Sequence, residues 1–157
     1  MPEVTEQSQR AFDQLVTFLK EDGWGPEIDT EDMACDMAYQ GENGRFACVA
    51  RIDGALDHLV FRTSAPVHMP QATRLAGMEF LTRANFGLHI GNFEMDVEDG
   101  EVRFKTSLDF EGTELTPALL KGILYPAVEA MDTYLLGLMA VMSGAKSAAD
   151  AIRDIEA

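Results

Sequence analysis

Apolar and polar residues alternate along two runs on either side of Asp99-Gly100, and this pattern predicts a β-hairpin. An Asp-Gly pair suits a two-residue type I′ turn, because the central positions of that turn need positive φ angles. With this turn, Val97 faces Val102 on an apolar face of the hairpin, while Glu94 faces Lys105 on a charged face. The same register gives three further pairs, which are Met95 with Phe104, Phe93 with Thr106, and Asp96 with Arg103.

The same alternation predicts three strands between about residues 33 and 61. Asn43-Gly44 and Asp53-Gly54 separate them, and both dipeptides are typical of tight hairpin turns. Pairing residues through these turns places the apolar members of the strands on one buried face. These inward residues include Phe46, Cys48, Leu59 and Phe61.

Helical spacing of apolar residues predicts the remaining elements. A first helix runs from about Thr5 to Glu21, and a second follows Pro70 and ends near Asn85. Thr116-Pro117 is typical of a helix start, with threonine as the cap and proline in the first turn. We expect Pro126 to kink or divide this last long helix. A short tail helix follows Gly144.

This order of elements, α-β-β-β-α-β-β-α, predicts an α+β fold with one antiparallel five-stranded sheet and its helices on one face. The length of 157 residues and the absence of a linker favour a single domain over residues 1–157. We expect its core to span about residues 5–143, with the tail helix in residues 144–157.

Composition narrows the possible partners. The chain has 27 acidic and 12 basic residues and a formal net charge of −15, which disfavours binding to nucleic acid or to an anionic membrane.

The predicted register keeps Cys35 and Cys48 beyond disulfide reach, and buried free thiols indicate a reducing compartment. The N-terminus lacks the apolar core of a signal peptide, and the longest apolar run is too short to cross a bilayer. We therefore expect a cytoplasmic protein.

Residues that could carry chemistry are scattered. His58, His68 and His89 lack the spacing of a metal-binding motif, and the acidic clusters lack that of a calcium-binding loop. The glycines form no phosphate-binding loop, and no serine stands in a nucleophile elbow. The sequence therefore predicts no catalytic residue, no metal ligand and no cofactor-binding residue.

Two surfaces are candidates for binding. The predicted register turns Ala38, Ala47, Val49 and Val60 outward as neighbours, places Asp36 opposite Arg51, and opposes Arg45 to Arg62. Like charges opposed across a sheet are destabilising, so we expect an acidic group of a partner near that pair.

The second candidate surface lies in the run from Tyr134 to Met142, which has no polar face. We expect Leu135, Leu138, Met139 and Met142 to be covered either by a second protomer in a homodimer or by the chain's own tail helix.

Several short motifs occur one after another along the chain. They are Leu81 to Asn85 at a helix end, Gly91 to Phe93 at a strand start, Asp99-Gly100, Arg103-Phe104 and Leu115-Thr116, with Gly23-Trp24 and Val67 to Pro70 upstream. In this order they resemble the YbjN family, described as "putative bacterial sensory transduction regulator", over roughly Ala11 to Met142. That family is similar in fold to type III secretion chaperones, which are small, acidic and dimeric.

The resemblance implies a non-enzymatic protein-binding module, chaperone-like or regulatory, that forms a homodimer. It brings no catalytic residues with it. Two alternatives stay open from the residues alone. One is a small-molecule sensor with its ligand between the sheet and the helices near Trp24, and the other is an enzyme whose site is dispersed along the sequence.

Overall fold

The computed structural model describes residues 3–157. The helices in this range are α1 (Glu6–Glu21), α2 (Arg74–Gly87), α3 (Pro117–Met142) and α4 (Ala148–Glu156), and a 3₁₀ turn (Gln71–Thr73) precedes α2. The strands are β1 (Glu27–Asp29), β2 (Ala34–Gln40), β3 (Arg45–Asp53), β4 (His58–His68), β5 (Asn92–Met95) and β6 (Glu101–Asp109).

The strands form one antiparallel sheet in the order β1-β2-β3-β4-β6-β5, so the predicted α+β architecture is confirmed. The described range holds six strands rather than the predicted five. The additional strand, β1, lies between α1 and β2, where the sequence predicts no strand, and pairs with the start of β2. Its three residues are all exposed, and a strand so short and polar leaves no alternation in the sequence.

The helices lie on one face of the sheet, where the inward residues Phe46, Leu59, Phe61 and Phe104 are fully buried. Helix α3 packs against β4 and β6, while α4 packs against α2 and α3. Thr116 caps α3 as predicted, and Thr5 caps α1 at its expected start; each accepts a backbone hydrogen bond through its hydroxyl oxygen.

Pro126 does not divide α3, which continues from Pro117 to Met142. Proline removes one hydrogen bond from the helix ladder. The buried residues Leu124, Ala127 and Val128 surround it, and packing of such residues supplies most of the stability of a helix in a protein. Packing on both sides of Pro126 therefore maintains one continuous helix.

The turn between β2 and β3 lies at Glu42-Asn43, one residue before its predicted position, because Gln40 pairs with Arg45 and the Gly41 N–H donates to the Gly44 carbonyl at 2.8 Å. The Asp132 carboxylate of α3 accepts hydrogen bonds from the Glu42 and Asn43 backbone N–H groups at 3.1 and 2.8 Å. A residue 90 positions away thus fixes this turn, which the local sequence does not reveal.

The β3–β4 connection is also longer than predicted, because Asp53 pairs with His58 across a four-residue loop. The Asp53 carboxylate accepts from two backbone N–H groups of that loop, at Ala55 and Leu56. Asp57 closes the loop with a φ of 54°, a conformation that aspartate tolerates better than most residues. Its carboxylate accepts hydrogen bonds from two hydroxyl groups at the start of α1.

In the hairpin of β5 and β6, Met95 pairs with Val102 and Glu94 with Arg103, so the predicted register is wrong by two residues. Val97 lies in the loop and is 54% exposed. The Asp96 and Asp99 carboxylates each accept from a backbone N–H two residues on, which favours a longer loop than the type I′ turn. Moving a turn by one residue displaces the pairing of its two strands by two residues. The pairing in all three hairpins is therefore displaced by an even number of residues, and every predicted strand keeps its predicted inward face.

Candidate functional site

The outer face of the sheet carries the apolar patch predicted from the sequence. Ala38 lies directly opposite Ala47, and Val49 and Val60 continue this strip diagonally across β3 and β4. The alanines are exposed and the valines half-buried. The described helices all pack on the other face, so these small side chains form an open apolar strip.

The charged residues beside this strip pair differently from the prediction. Arg45 lies opposite Gln40, while Arg62 lies between Val49 on β3 and Lys105 on β6. The predicted pairs Arg45–Arg62 and Asp36–Arg51 are therefore wrong, because the turns displace the register. Asp36 lies opposite Val49, and Arg51 lies opposite Ala34 and Val60.

The like-charged neighbours on this face are Arg62 and Lys105. The Lys105 Nζ lies 3.0 Å from a Glu94 carboxylate oxygen, and Arg103 also binds this carboxylate. Burial opposes ionisation of Glu94, but the hydrogen bonds from Lys105 and Arg103 outweigh it and lower the pKa of Glu94. Glu94 therefore neutralises part of the positive charge on β6.

Arg62 has no such partner. Arg62 takes part in none of the ion pairs formed within residues 3–157, and its Nε is buried without a hydrogen-bond acceptor. Arg51, diagonal to it on β3, also lacks an acidic partner in this range. The acidic residues of this face lie on β1, β2 and β5 or at the ends of β3 and β6, so the centre of the face is locally basic.

The predicted dimer surface on α3 is mostly interior. Leu135 and Leu138 are each 1% exposed, while Met142 is half-buried. A Cβ added at Gly137 would contact Ile155 of α4, which shows how closely the tail helix approaches α3. The chain's own tail thus covers part of this run. Leu136, at 57%, and Met139, at 37%, remain exposed.

A pocket lined by both polar and aromatic residues opens beside the end of β2, and we refer to it as the Trp24 pocket. It has a volume of about 210 Å³, and its lining residues are Asp22, Gly23, Trp24, Ala38, Tyr39, Gln40 and Tyr125. The Trp24 ring lies 5.7 Å from the Tyr39 ring and 5.8 Å from the Tyr125 ring, measured between centroids. It also contacts the buried Phe61 ring edge-on at 6.2 Å, which anchors it to the core.

Asp22 holds two of these rings in place. Its Oδ2 accepts hydrogen bonds from the Tyr125 hydroxyl at 2.5 Å and from the Trp24 Nε1–H at 3.0 Å. The Tyr125 hydrogen bond is the main reason that the pKa of Asp22 is lowered, and the same bond raises the pKa of Tyr125 to about 12. Sequence reasoning identified the Gly23-Trp24 corner but missed Asp22 and Tyr125, which lie 103 residues apart.

The two sides of the sheet end differently. On the β5 side, the Asn85 side-chain amide accepts from the Phe93 N–H at 2.7 Å and donates to the Phe93 carbonyl at 3.1 Å. On the β2 side, β1 pairs only with residues 34–36. Because alternate residues of β2 point their backbone groups away from β3, the N–H and carbonyl of Ala38 face this open edge.

The histidines remain apart. His58 lies on the outer face 4.0 Å from the Asp109 carboxylate, and His68 and His89 are exposed elsewhere. Across residues 3–157, no three histidine, cysteine or acidic side chains come together in a way that could hold a metal ion.

Cys35 and Cys48 are buried free thiols, and burial raises the pKa of Cys35 to about 11. In the same range, no helix has the length and apolar character needed to cross a bilayer.

Comparison with known proteins gives one family and one fold. The model of the YbjN family, described as "Putative bacterial sensory transduction regulator", matches residues 11–138. No curated protein matches the chain significantly. The structure of YbjN from E. coli, named a putative transcription regulator, is similar with a TM-score of 0.56 at 14% identity, over 83% of this chain and 88% of that one.

Two complexes contain chains of the same fold. The HopA1-SchA chaperone-effector complex has a TM-score of 0.54 at 22% identity and covers 82% of this chain and 95% of the matched chain. The ExoT-SpcS complex from Pseudomonas aeruginosa has a TM-score of 0.51 at 18% identity and covers 82% and 97%. At these identities, the likeness concerns the fold.

Proposed function

This chain belongs to the YbjN family, and we propose that it is a non-enzymatic protein-binding module, chaperone-like or regulatory, that uses the outer face of its sheet. Two of the solved proteins with this fold are in complexes with a second protein, which supports the same role here. The two buried free thiols favour a reducing compartment, so we place this function in the cytoplasm.

The observation that carries this proposal is Arg62. A buried guanidinium nitrogen without an acceptor is costly, and Lys105 on the next strand adds like-charge repulsion. A partner carboxylate cannot reach the buried Nε, but it can bind the part of the Arg62 side chain that remains accessible and offset the like charge of Lys105. The adjacent strip of Ala38, Ala47, Val49 and Val60 supplies apolar area for the same partner. We therefore propose a partner surface that combines small apolar contacts with at least one carboxylate.

The test is affinity capture from the native host with the full chain and with two variants, Val49→Asp and Val60→Asp. Each places a negative charge within the strip, so we expect both variants to lose the partner while their melting temperatures change little. Val97→Asp is the matched control, because Val97 is an exposed valine in the β5–β6 loop. Retention of the partner by both strip variants would contradict the proposal.

We further propose that the chain forms a homodimer through the exposed part of α3. Leu136 and Met139 are three residues apart on one side of that helix and are both exposed. Light scattering at micromolar concentration should then give twice the 17.3 kDa mass of one chain. Leu136→Glu should shift the mass toward the monomer, whereas Leu75→Glu, at an exposed leucine of α2, should not. A monomeric mass for the unmodified chain would refute the dimer.

A further inference from the structure

The Trp24 pocket combines three aromatic rings with one carboxylate at the surface of a strongly acidic chain. Trp24, Tyr39 and Tyr125 are each half-buried residues, and all three line the pocket. Aromatic ring faces carry partial negative charge and attract cations, with tryptophan the strongest. The arrangement therefore favours a positively charged group.

The Asp22 carboxylate strengthens this preference. Its Oδ2 already accepts from Tyr125 and Trp24, whereas its Oδ1 accepts no hydrogen bond from residues 3–157. The oxygen that remains free can accept from a cation in the pocket. Lys121 is near enough to Asp22 to contribute to lowering its pKa, but it does not line the pocket.

The size of the pocket narrows the kind of cation. Pockets that enclose whole small-molecule ligands measure roughly 300–1,000 Å³, and this one measures about 210 Å³. It can receive the end of one side chain more readily than a complete metabolite. Among the basic side chains, arginine has a planar guanidinium that stacks on aromatic rings and donates to carboxylates at the same time.

We propose that the Trp24 pocket binds the guanidinium group of an arginine side chain from a partner protein, stacked on the aromatic rings and hydrogen-bonded to Asp22. This site is distinct from the outer-face strip apart from Ala38, which borders both. The partner would then present an arginine in addition to the apolar and acidic groups proposed for the outer face. The arginine site can be tested without isolating that partner.

Trp24 is the single tryptophan of the chain, so its fluorescence reports on the pocket directly. The probe is a five-residue acetylated peptide of glycine and serine with one central arginine, titrated into the full chain. We expect a saturable change in emission. The same peptide with citrulline, which is neutral and nearly the same shape, should bind at least about tenfold more weakly because the charge-assisted hydrogen bond is lost.

Two variants locate the effect. Asp22→Asn should weaken binding of the arginine peptide about tenfold, and Tyr125→Leu should weaken it further because it also removes a ring. Tyr134→Phe is the control, since Tyr134 lies outside the pocket, and it should bind like the unmodified chain. Melting curves show whether each variant is folded, and Tyr125→Phe, which keeps the ring, is the second choice if Tyr125→Leu unfolds.

Three results would overturn the proposal. Equal binding of the citrulline and arginine peptides would show that charge is irrelevant. Tighter binding of tetramethylammonium than of the arginine peptide would assign the pocket to small quaternary amines. Absence of any fluorescence change up to millimolar peptide would leave the aromatic cluster with a structural role alone.

Discussion

The β5 edge of the sheet is closed by a side chain, whereas the β2 edge beyond β1 stays open. At the closed edge, Asn85 satisfies both outward backbone groups of Phe93. At the open edge, Ala38 presents its N–H and carbonyl beside the Trp24 pocket, without a backbone partner in residues 3–157. Unpaired edge groups can pair with another chain. The closed edge therefore serves stability, and the open edge, like the outer face, remains accessible to partners.

The largest expected effect concerns Gly100, in the loop next to the closed edge. Its φ is 79°, and an added Cβ would overlap the Met69 carbonyl. Gly100→Ala should therefore reduce the free energy of unfolding by about 4 kcal/mol, measured by urea denaturation. Gly112→Ala is the control, because Gly112 has a φ of 76° but no atom near the added Cβ, and it should lose only about 1 kcal/mol. Equal losses would show that the contact with Met69 does not matter.

The next largest effect compares proline substitutions at Ala38 on the edge strand and at Ala47 in the interior of the sheet, two exposed alanines that lie opposite each other. Ala47→Pro removes a ladder hydrogen bond between β3 and β4 and should cost about 3 kcal/mol in unfolding free energy. Ala38→Pro removes an N–H that faces the open edge and should cost about 1 kcal/mol. Both are measured by chemical denaturation. If Ala38→Pro is as destabilising as Ala47→Pro, the edge is not open at this position.

Asn85→Ala should destabilise the closed edge by about 2 kcal/mol, because it leaves the N–H and carbonyl of Phe93 without the amide. Hydrogen exchange at the Phe93 amide should accelerate by more than global unfolding explains. Thr82→Ala, at an exposed position of α2, is the matched control and should leave both measurements unchanged. Unchanged protection of Phe93 in Asn85→Ala would mean that the edge is closed by something else.

The smallest expected effect is at alkaline pH, where each edge has a tyrosine whose pKa is raised to about 12. Hydrogen bonding to Asp22 is the main cause for Tyr125 at the open edge. Burial, followed by the hydrogen bond to Glu156, is the cause for Tyr134, which packs on Phe93 near the closed edge. Because the folded pKa lies above the unfolded value of about 10, each tyrosine stabilises the fold below pH 10, and this contribution disappears as the pH rises toward 12.

Ultraviolet absorbance of the phenolate measures both titrations. Asp22→Asn should lower the pKa of Tyr125 clearly, whereas Glu156→Gln should lower the pKa of Tyr134 less, since burial remains. The reverse ranking would contradict the assigned causes.

The sequence predicted which residues face inward far better than where the chain turns. Phe46, Leu59 and Phe104 are buried as expected because alternation with a period of two survives any even displacement of the register. The turns moved because their positions depend on side chains outside the dipeptides, such as Asp132 and the loop carboxylate of Asp53. Local turn preference was overridden by these contacts.

For the candidate sites too, the sequence predicted the face of each residue better than its partner on the next strand. Ala38, Ala47, Val49 and Val60 form a strip as predicted, because adjacency on one face needs only correct parity. The charged pairs failed because they need the correct register as well, which placed Arg62 beside Lys105 instead of Arg45. The sequence suggested a site near Trp24 as one alternative, but it could not predict that Asp22 and Tyr125 line it, since these residues meet only after α3 has packed beside the end of α1.

The Asp132 contact has a consequence for the order in which the chain folds. The turn of the β2–β3 hairpin is held by a carboxylate about 90 residues later in the sequence, and contacts over such a separation form slowly because a long loop must close first. During synthesis, the hairpin leaves the ribosome well before Asp132 has been made. The β2–β3 turn should therefore reach its final geometry only when α3 docks, so a hairpin made early in synthesis is completed by the last long helix.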